Sequence, residues 1–446
     1  RPRLRRCRGQ GRPVGPAQWR AWAQSAILPR MTPAVPSTRY MALLLAGLAM
    51  FGPFAIDTIF PAFPQLAQRL RADPVAIQQT VSVYLLAYAL MGLAHGPLSD
   101  AWGRKPVIVG GLLVFALGSA GCALSRDLGT LLAFRALQGF SAGVGMIVGR
   151  AVIRDLYQGH DAQRLMSQVS TIFGIAPAIA PIIGGWLLAT GAGWPLIFWF
   201  LVGFSLLLLA ATLRWMPETH PLEARTPLAP RTLLRDYIAI AFNARFQRLA
   251  AASAFNFAGV FLYIASAPVF IIDLLHRTER DFAWLFIPTI GGMTLGSFLS
   301  GCMAGRIGPL RQVRIGFICC GASVLGNIAY TAIAPQIALP WAVLPIFVAG
   351  LGMALIFPIL ALAVLDIYPR QRGLASSLQA FTQLILNTVV AGALSPLLSG
   401  RPMHLALGSG ALFLIGWGFW RWERRSGKRL PRPGSQVPQL EPADPV

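Results

Sequence analysis

From Tyr40 onward the chain alternates long apolar runs with short polar connections. Runs of about 20 residues stand near 40–61, 77–97, 106–125, 129–151, 165–190, 194–214, 247–272, 282–304, 312–334, 339–365, 374–398 and 403–421. That is the length needed to cross roughly 30 Å of hydrocarbon at about 1.5 Å per residue. Backbone polar groups cannot be left unpaired in lipid, and runs this long are not barrel strands. The pattern therefore predicts an all-α integral membrane protein with twelve transmembrane helices.

The pattern also repeats. Gly96-Pro97-Leu98-Ser99-Asp100-Ala101-Trp102-Gly103 has a worn counterpart in Gly301-Cys302-Met303-Ala304-Gly305-Arg306-Ile307-Gly308, 205 residues on. Ala142-Gly143-Val144-Gly145-Met146 recurs as Ala349-Gly350-Leu351-Gly352-Met353, 207 residues on. Two similar offsets from separate places imply two six-helix bundles related by an axis along the membrane normal. The predicted organisation is a disordered basic extension over 1–38, a bundle over 39–216, a cytoplasmic linker over 217–245, a second bundle over 246–422 and a disordered tail over 423–446. Met31 stands just before the first apolar run, and the natural start is expected there; a transit peptide, disfavoured by the scarcity of Ser, is the alternative.

Composition agrees with burial in lipid: 55% of residues are hydrophobic, 12% are charged and the mean hydropathy is +0.60. The net charge of +22 raises a nucleic-acid reading, but the Arg residues are scattered through connections and do not form one face with interleaved aromatics, so no nucleic acid is expected. With both termini cytoplasmic, 31 of the 38 Lys and Arg residues fall in cytoplasmic segments, 6 in outer loops and one, Arg135, within a span, which favours that orientation. Cys7, Cys122, Cys302, Cys319 and Cys320 show neither a disulfide framework nor metal-ligand spacing and read as small hydrophobes. His95, His160, His220, His276 and His404 are dispersed at or beyond helix ends. A membrane-embedded enzyme would need its nucleophile or metal ligands concentrated, so no enzyme activity, cofactor or metal is expected.

One acidic residue lies well within a span: Asp57, in Ala55-Ile56-Asp57-Thr58-Ile59-Phe60-Pro61. An ionisable group inside the membrane costs roughly 2.5–3.5 kcal/mol on insertion scales and needs a partner or a function. Arg135, in the fourth span, is the candidate partner. Counted along their helices, Asp57 lies about 6 Å and Arg135 about 9 Å below the outer boundary, so the two are expected to pair. A carboxylate that sees a guanidinium in one conformation and not in another changes its proton affinity with conformation, which makes it a proton carrier. A static salt bridge between two helices is the competing reading. Sparse polar groups on apolar helices are the candidates for a substrate cavity: Gln379, Gln383 and Asn387 recur every four residues in the eleventh span, Tyr84 and Tyr88 pair in the second, and Asn256 and Tyr263 lie seven apart in the seventh. Helix-to-helix hydrogen bonding is the alternative use for each.

The hinge Gly96-Pro97-Leu98-Ser99-Asp100-Ala101-Trp102-Gly103-Arg104-Lys105 joins the second and third spans. Gly96 and Gly103 permit close backbone approach, Asp100 is expected to meet the positive N-terminal end of the third helix, and Arg104 and Lys105 anchor the turn in water. The segment resembles the corresponding loop of the major facilitator superfamily, Gly-x-Leu-x-Asp-Arg-x-Gly-Arg-Lys, with Ala101 in place of the usual first Arg. Arg135-Ala136-Leu137-Gln138-Gly139 resembles the Arg-x-x-Gln-Gly pattern of its proton-coupled members. Ala176-Pro177-Ala178-Ile179-Ala180-Pro181-Ile182-Ile183-Gly184-Gly185 resembles the signature of drug/proton antiporters. With Asp57-x-x-x-Pro61 and Pro217-Glu218-Thr219, the chain resembles the bicyclomycin-resistance (Bcr/CflA) branch from about Tyr40 to Trp422.

The resemblance implies a monomeric proton-coupled multidrug efflux transporter of the inner (cytoplasmic) membrane, a drug/proton antiporter exporting small amphipathic compounds by alternating access. Its partners would be a small-molecule substrate, protons and the lipid bilayer. Asp57, Arg135 and Gln138 would couple protons, and Pro177, Pro181, Gly184 and Gly185 would form the antiporter motif. Gly96, Asp100, Gly103, Arg104 and Lys105 would form a latch engaging the eleventh helix near Gly373 when the cytoplasmic side is shut. A proton-coupled transporter of a metabolite such as an amino acid or dipeptide is the alternative with the same fold.

Overall fold

The computed structural model describes residues 38–157, 159–369 and 371–426; Met31, the basic extension and the residues from 427 onward lie outside the described residues. Among the described residues every regular element is helical. The first six spans are Thr38–Asp57, Pro74–Trp102, Arg104–Leu124, the two-piece Leu128–Ala142 and Val144–Leu156, Gly159–Ala189 and Pro195–Trp215. The linker carries its own helix, Pro230–Ala241. The last six are Ala244–Ala265, Ala283–Met303, Pro309–Ile333, Leu344–Ile367, Arg372–Val389 and Pro402–Arg425. Among the described residues eleven stretches are long and apolar enough to cross a membrane, and the fifth span adds the shorter apolar stretch Gly174–Ala189.

Four details depart from the sequence reading. The first span stops at Asp57 and continues, after a break, as a turn at Phe60–Ala62 and the helix Phe63–Leu70. Pro61 and Pro64 each lack the N–H that an unbroken helix would need, so each starts a new turn instead. The fourth span is interrupted at Gly143. The hinge is hardly a loop: the second helix runs through Trp102 and the third begins at Arg104, leaving Gly103 alone, at φ 100°, to turn the chain. That φ suits only glycine, and a Cβ there would also strike the side chains of Glu218 and Arg225. Finally the twelfth span runs to Arg425, beyond the expected boundary at 422, because buried Glu423 is gripped through both carboxylate oxygens by Arg245 and Arg248, each at 2.8 Å.

Removing one member of such a buried group strands the others, at a cost of about 3–5 kcal/mol. Glu423→Gln is therefore expected to lower the thermal unfolding temperature of the detergent-purified protein clearly. An unchanged melting curve would show that the triad does not tie the seventh and twelfth spans together.

Packing follows the sequence repeat. In the N-terminal half the first span packs on the fourth, fifth and sixth, the second on the fourth, and the third on the fourth and sixth. In the C-terminal half the seventh packs on the tenth, eleventh and twelfth, the eighth on the tenth, and the ninth on the tenth and twelfth. Adding six to each number turns one set into the other. The seam obeys the same symmetry, because the second span meets the eleventh and the eighth meets the fifth. The repeated Ala-Gly-x-Gly-Met segments show why the motif recurs. Gly145 sits so close to the Leu48 carbonyl that a Cβ has no room, and Gly352 likewise abuts Cys320 and the Gly316 carbonyl. In lipid such small residues let helices approach and gain dispersion energy where no hydrophobic drive exists between them.

Candidate functional site

Arg135 is fully buried at the centre of the N-terminal bundle. Its Nε donates to the Thr80 carbonyl at 3.1 Å, and its Nη1 donates to the Ala55 carbonyl at 2.9 Å and to Gln138 Oε1 at 2.8 Å. The guanidinium also lies 4.5 Å from the centre of the Tyr84 ring. Gln138 passes the chain on by donating to Ser119 Oγ at 2.7 Å, and the Tyr84 hydroxyl donates to the Gly52 carbonyl at 3.1 Å. One arginine thus joins the first, second and fourth spans, and Gln138 extends the network to the third.

The expected ion pair between Asp57 and Arg135 is not formed. Two carbonyl oxygens and an amide oxygen engage Nε and Nη1, and an aromatic face covers the guanidinium, without a carboxylate; Nη2 has no hydrogen-bond partner among the described residues. Asp57 is the last residue of the first helix, only 4% exposed, two positions beyond the carbonyl that Arg135 holds. None of the salt bridges among the described residues involves it. Beside it, the Thr58 hydroxyl donates to the Phe54 carbonyl at 2.6 Å, and the Thr58 carbonyl lies against Gly184 of the fifth span.

The two glycines that end the fifth-span signature face different neighbours. Gly184 abuts the first span next to Asp57, whereas a Cβ on Gly185 would come within 2.5 Å of the Glu279 carbonyl, in the connection between the seventh and eighth spans. Pro181 is buried and Pro177 half-buried in the same continuous helix. This is where the two bundles close on the face opposite the linker. On that face Gln78 Nε2 donates to the Ala265 carbonyl at 2.8 Å, Gln79 Nε2 to the Gly392 carbonyl at 2.9 Å, and Ser82 Oγ to the Thr388 carbonyl at 3.2 Å. The acceptors have a common origin. Ala265 ends the seventh helix and Gly392 lies in the wide turn Val390–Leu394, where the regular hydrogen-bond ladder is broken and carbonyls are freed. Phe60 and Phe286 add an apolar contact across the seam, ring centres 6.2 Å apart. Sequence reasoning passed over Gln78, Gln79 and Ser82; the signal available was polar side chains in an apolar span without charge.

The candidate cavity residues divide. Tyr84 is fully buried and bonded as above, with Tyr88 edge-on to it at 6.3 Å. Tyr263 accepts a 2.6 Å hydrogen bond from Asn327, and Asn256 lies beside Cys320 of the ninth span, so both sit inside the C-terminal bundle. Tyr84, Asn256 and Tyr263 are engaged in helix-to-helix contacts in this conformation. Gln379, Gln383 and Asn387 lie on the seam-forming eleventh span; Gln379 Nε2 and Asn387 Oδ1 are buried with no hydrogen-bond partner among the described residues, and Gln383 is half-buried.

At the linker face, the third helix is capped not by Asp100 but by Glu218, which accepts from the backbone N–H groups of Arg104 at 2.9 Å and Lys105 at 3.2 Å. A carboxylate there meets the positive end of the helix dipole. Asp100, still within the second helix, pairs with the Arg104 side chain, which also bonds Asp155 at 3.1 Å and Ser99. Lys105 Nζ donates to the Leu213 carbonyl at 3.1 Å, and Gly96 lies in open surroundings. None of the bonds made by Asp100 reaches the eleventh helix near Gly373, as fits a conformation sealed on the opposite face.

The family model described as Major Facilitator Superfamily matches residues 42–390. The chain is 32% identical over 380 residues to the uncharacterized MFS-type transporter YdgK of Bacillus subtilis, covering 84% of this chain and 92% of that protein. It is 29% identical to multidrug resistance protein D of Escherichia coli, over 79% of this chain and 87% of the other, and 29% identical to a bicyclomycin resistance protein homolog of Haemophilus influenzae, over 63% and 70%. Among solved structures, a bacterial homolog of the human lysosomal transporter Spinster superposes with a TM-score of 0.67 at 17% identity, over 87% of this chain and 97% of that one. A D-xylose-proton symporter superposes with a TM-score of 0.66 at 14% identity, over 86% and 97%.

Proposed function

The chain belongs to the Major Facilitator Superfamily, a family of membrane transporters, and from that premise we propose that it is a proton-driven exporter of small amphipathic compounds. Relatives named for multidrug and bicyclomycin resistance support the cargo class. The observation that carries the coupling is Asp57: a buried acid with no salt-bridge partner among the described residues, at the break in the first span where Gly184 of the fifth packs.

In this reading the linker face is cytoplasmic, as the bias of Lys and Arg in the sequence requires, and the sealed face is the outer one. The conformation is then closed to the outside. Alternating access requires the bonds from Gln78, Gln79 and Ser82 to break so that the outer face opens, and the hinge network around Arg104 to meet the eleventh helix so that the inner face shuts. A proton entering from outside would neutralise Asp57 and favour release of the cargo; its loss to the cytoplasm would reset the carrier. Arg135 would hold the first span in register while this happens, through the carbonyl of Ala55.

Cells expressing the protein in a strain lacking its own pumps are expected to extrude a lipophilic dye, and extrusion should stop within seconds of adding a protonophore. Efflux that persists without a proton gradient would overturn the proton-driven reading.

A further inference from the structure

On the linker face, away from the seam, the ninth and twelfth spans form a cleft of about 540 Å³ that the transport reading leaves unused. Arg314 and Phe317 line it from the ninth span, and Trp417, Arg421, Arg424 and Arg425 from the twelfth. The spacing explains the arrangement. Residues 417, 421 and 424 fall on one helix face, as do 314 and 317 on the other. The Arg421 guanidinium lies 4.9 Å from the Trp417 ring centre and that of Arg424 lies 5.4 Å from Trp420, which in turn packs on Phe317 at 5.2 Å. Four guanidiniums therefore share one cleft whose lining contains no acid among the described residues. The nearest acid along the helix, Glu423, is buried and already held through both oxygens by Arg245 and Arg248.

Depth matches a phospholipid. Arg424 and Arg425 end their helix, Arg421 lies about 6 Å further in, and Trp417 about 12 Å further in, while Arg314 is about 7.5 Å from the start of the ninth span. Charge thus sits at headgroup level and aromatic surface at the level of the glycerol and upper acyl chain. The wall continues outward through exposed Ile318, Leu325 and Leu414, a surface that faces lipid.

We propose that this cleft binds an anionic phospholipid of the linker-face leaflet, with four arginines and the cleft volume suited to the two phosphates of a diphosphatidylglycerol headgroup. Basic pockets between transmembrane helices hold such headgroups by charge, while the acyl chains lie along the aromatic wall. The site is separate from Asp57 and the seam, so it stands or falls independently of the coupling reading.

Native mass spectrometry of the full-length protein in micelles doped with diphosphatidylglycerol tests this. The wild type is expected to retain that lipid over phosphatidylethanolamine. Each arginine near an anionic headgroup contributes roughly a five-fold factor, so Arg421→Gln with Arg424→Gln should weaken retention roughly 25-fold. Arg306→Gln, in the exposed connection ahead of the ninth span, should leave it unchanged. Equal retention by the double variant, or an equal loss in Arg306→Gln, would overturn the site. Displacement of the lipid by millimolar inorganic phosphate would show a free-anion site instead and overturn the lipid assignment.

Discussion

An Asp57→Asn protein is expected to reach the membrane in wild-type amount and to lose all efflux that is driven uphill by protons. Asparagine has nearly the same shape, so the break after the first span and the contact of Thr58 with Gly184 should survive. What disappears is the ability to take up and release a proton at a buried site. Moving one proton across 100 mV supplies about 2.3 kcal/mol, which sustains roughly a 50-fold solute gradient. That gradient should fall to near unity in the variant. Exchange of labelled for unlabelled cargo across proteoliposomes without a gradient should remain, because the cavity and both end states are intact. Removing an ionisable group from the membrane also removes its insertion cost, so the melting temperature should hold or rise. Wild-type dye gradients in this variant would sink the assignment of Asp57 as proton carrier, and loss of exchange as well would mark it as structural.

Much of the fold was legible because lipid imposes it. Hydrocarbon thickness sets the length of each apolar run, and the unpaired backbone leaves helix as the one solution for such runs, so spans could be placed before any tertiary contact was known. The seam pairings of the second span with the eleventh and the eighth with the fifth were not named by the repeat offsets, which carry no partner information. The site was legible as residue types but not as partners. Arg135 and Asp57 stood out because charge is rare in a span, yet opposite charge at similar depth did not predict a pair. Backbone carbonyls of Thr80 and Ala55 compete for the same guanidinium, and a carbonyl has no signature in sequence. The same blindness hid the closing bonds from Gln78 and Gln79, whose acceptors exist because the seventh helix ends and the eleventh widens where they do. Glu218 was visible in its motif, but its role as the cap of a helix more than a hundred residues earlier depends on how the linker folds back.

The doubled glycine of the fifth span gives the second large expected effect, because its two members act on different interfaces. Adding a methyl group at Gly185 places a carbon 2.5 Å from the Glu279 carbonyl of the other bundle, and within 3.5 Å of Arg280 Cα. Both are main-chain atoms of a connection, so no side-chain rotation relieves the overlap. Overpacking of this kind costs about 1–3 kcal/mol, and here the cost falls on one conformation alone, the one in which this face is sealed. Gly185→Ala should therefore shift the balance toward the state open on that face by roughly 5- to 150-fold. Spin labels at Thr190 and Thr278, in a background without native cysteines, should move to longer separations, and turnover should fall with the protein still folded. Gly184→Ala meets the Thr58 carbonyl within its own bundle, so it should lower the melting temperature in every conformation and leave the label distances alone. If the two variants behave alike, Gly185 does not gate this face, and the fifth-span signature is a packing stripe.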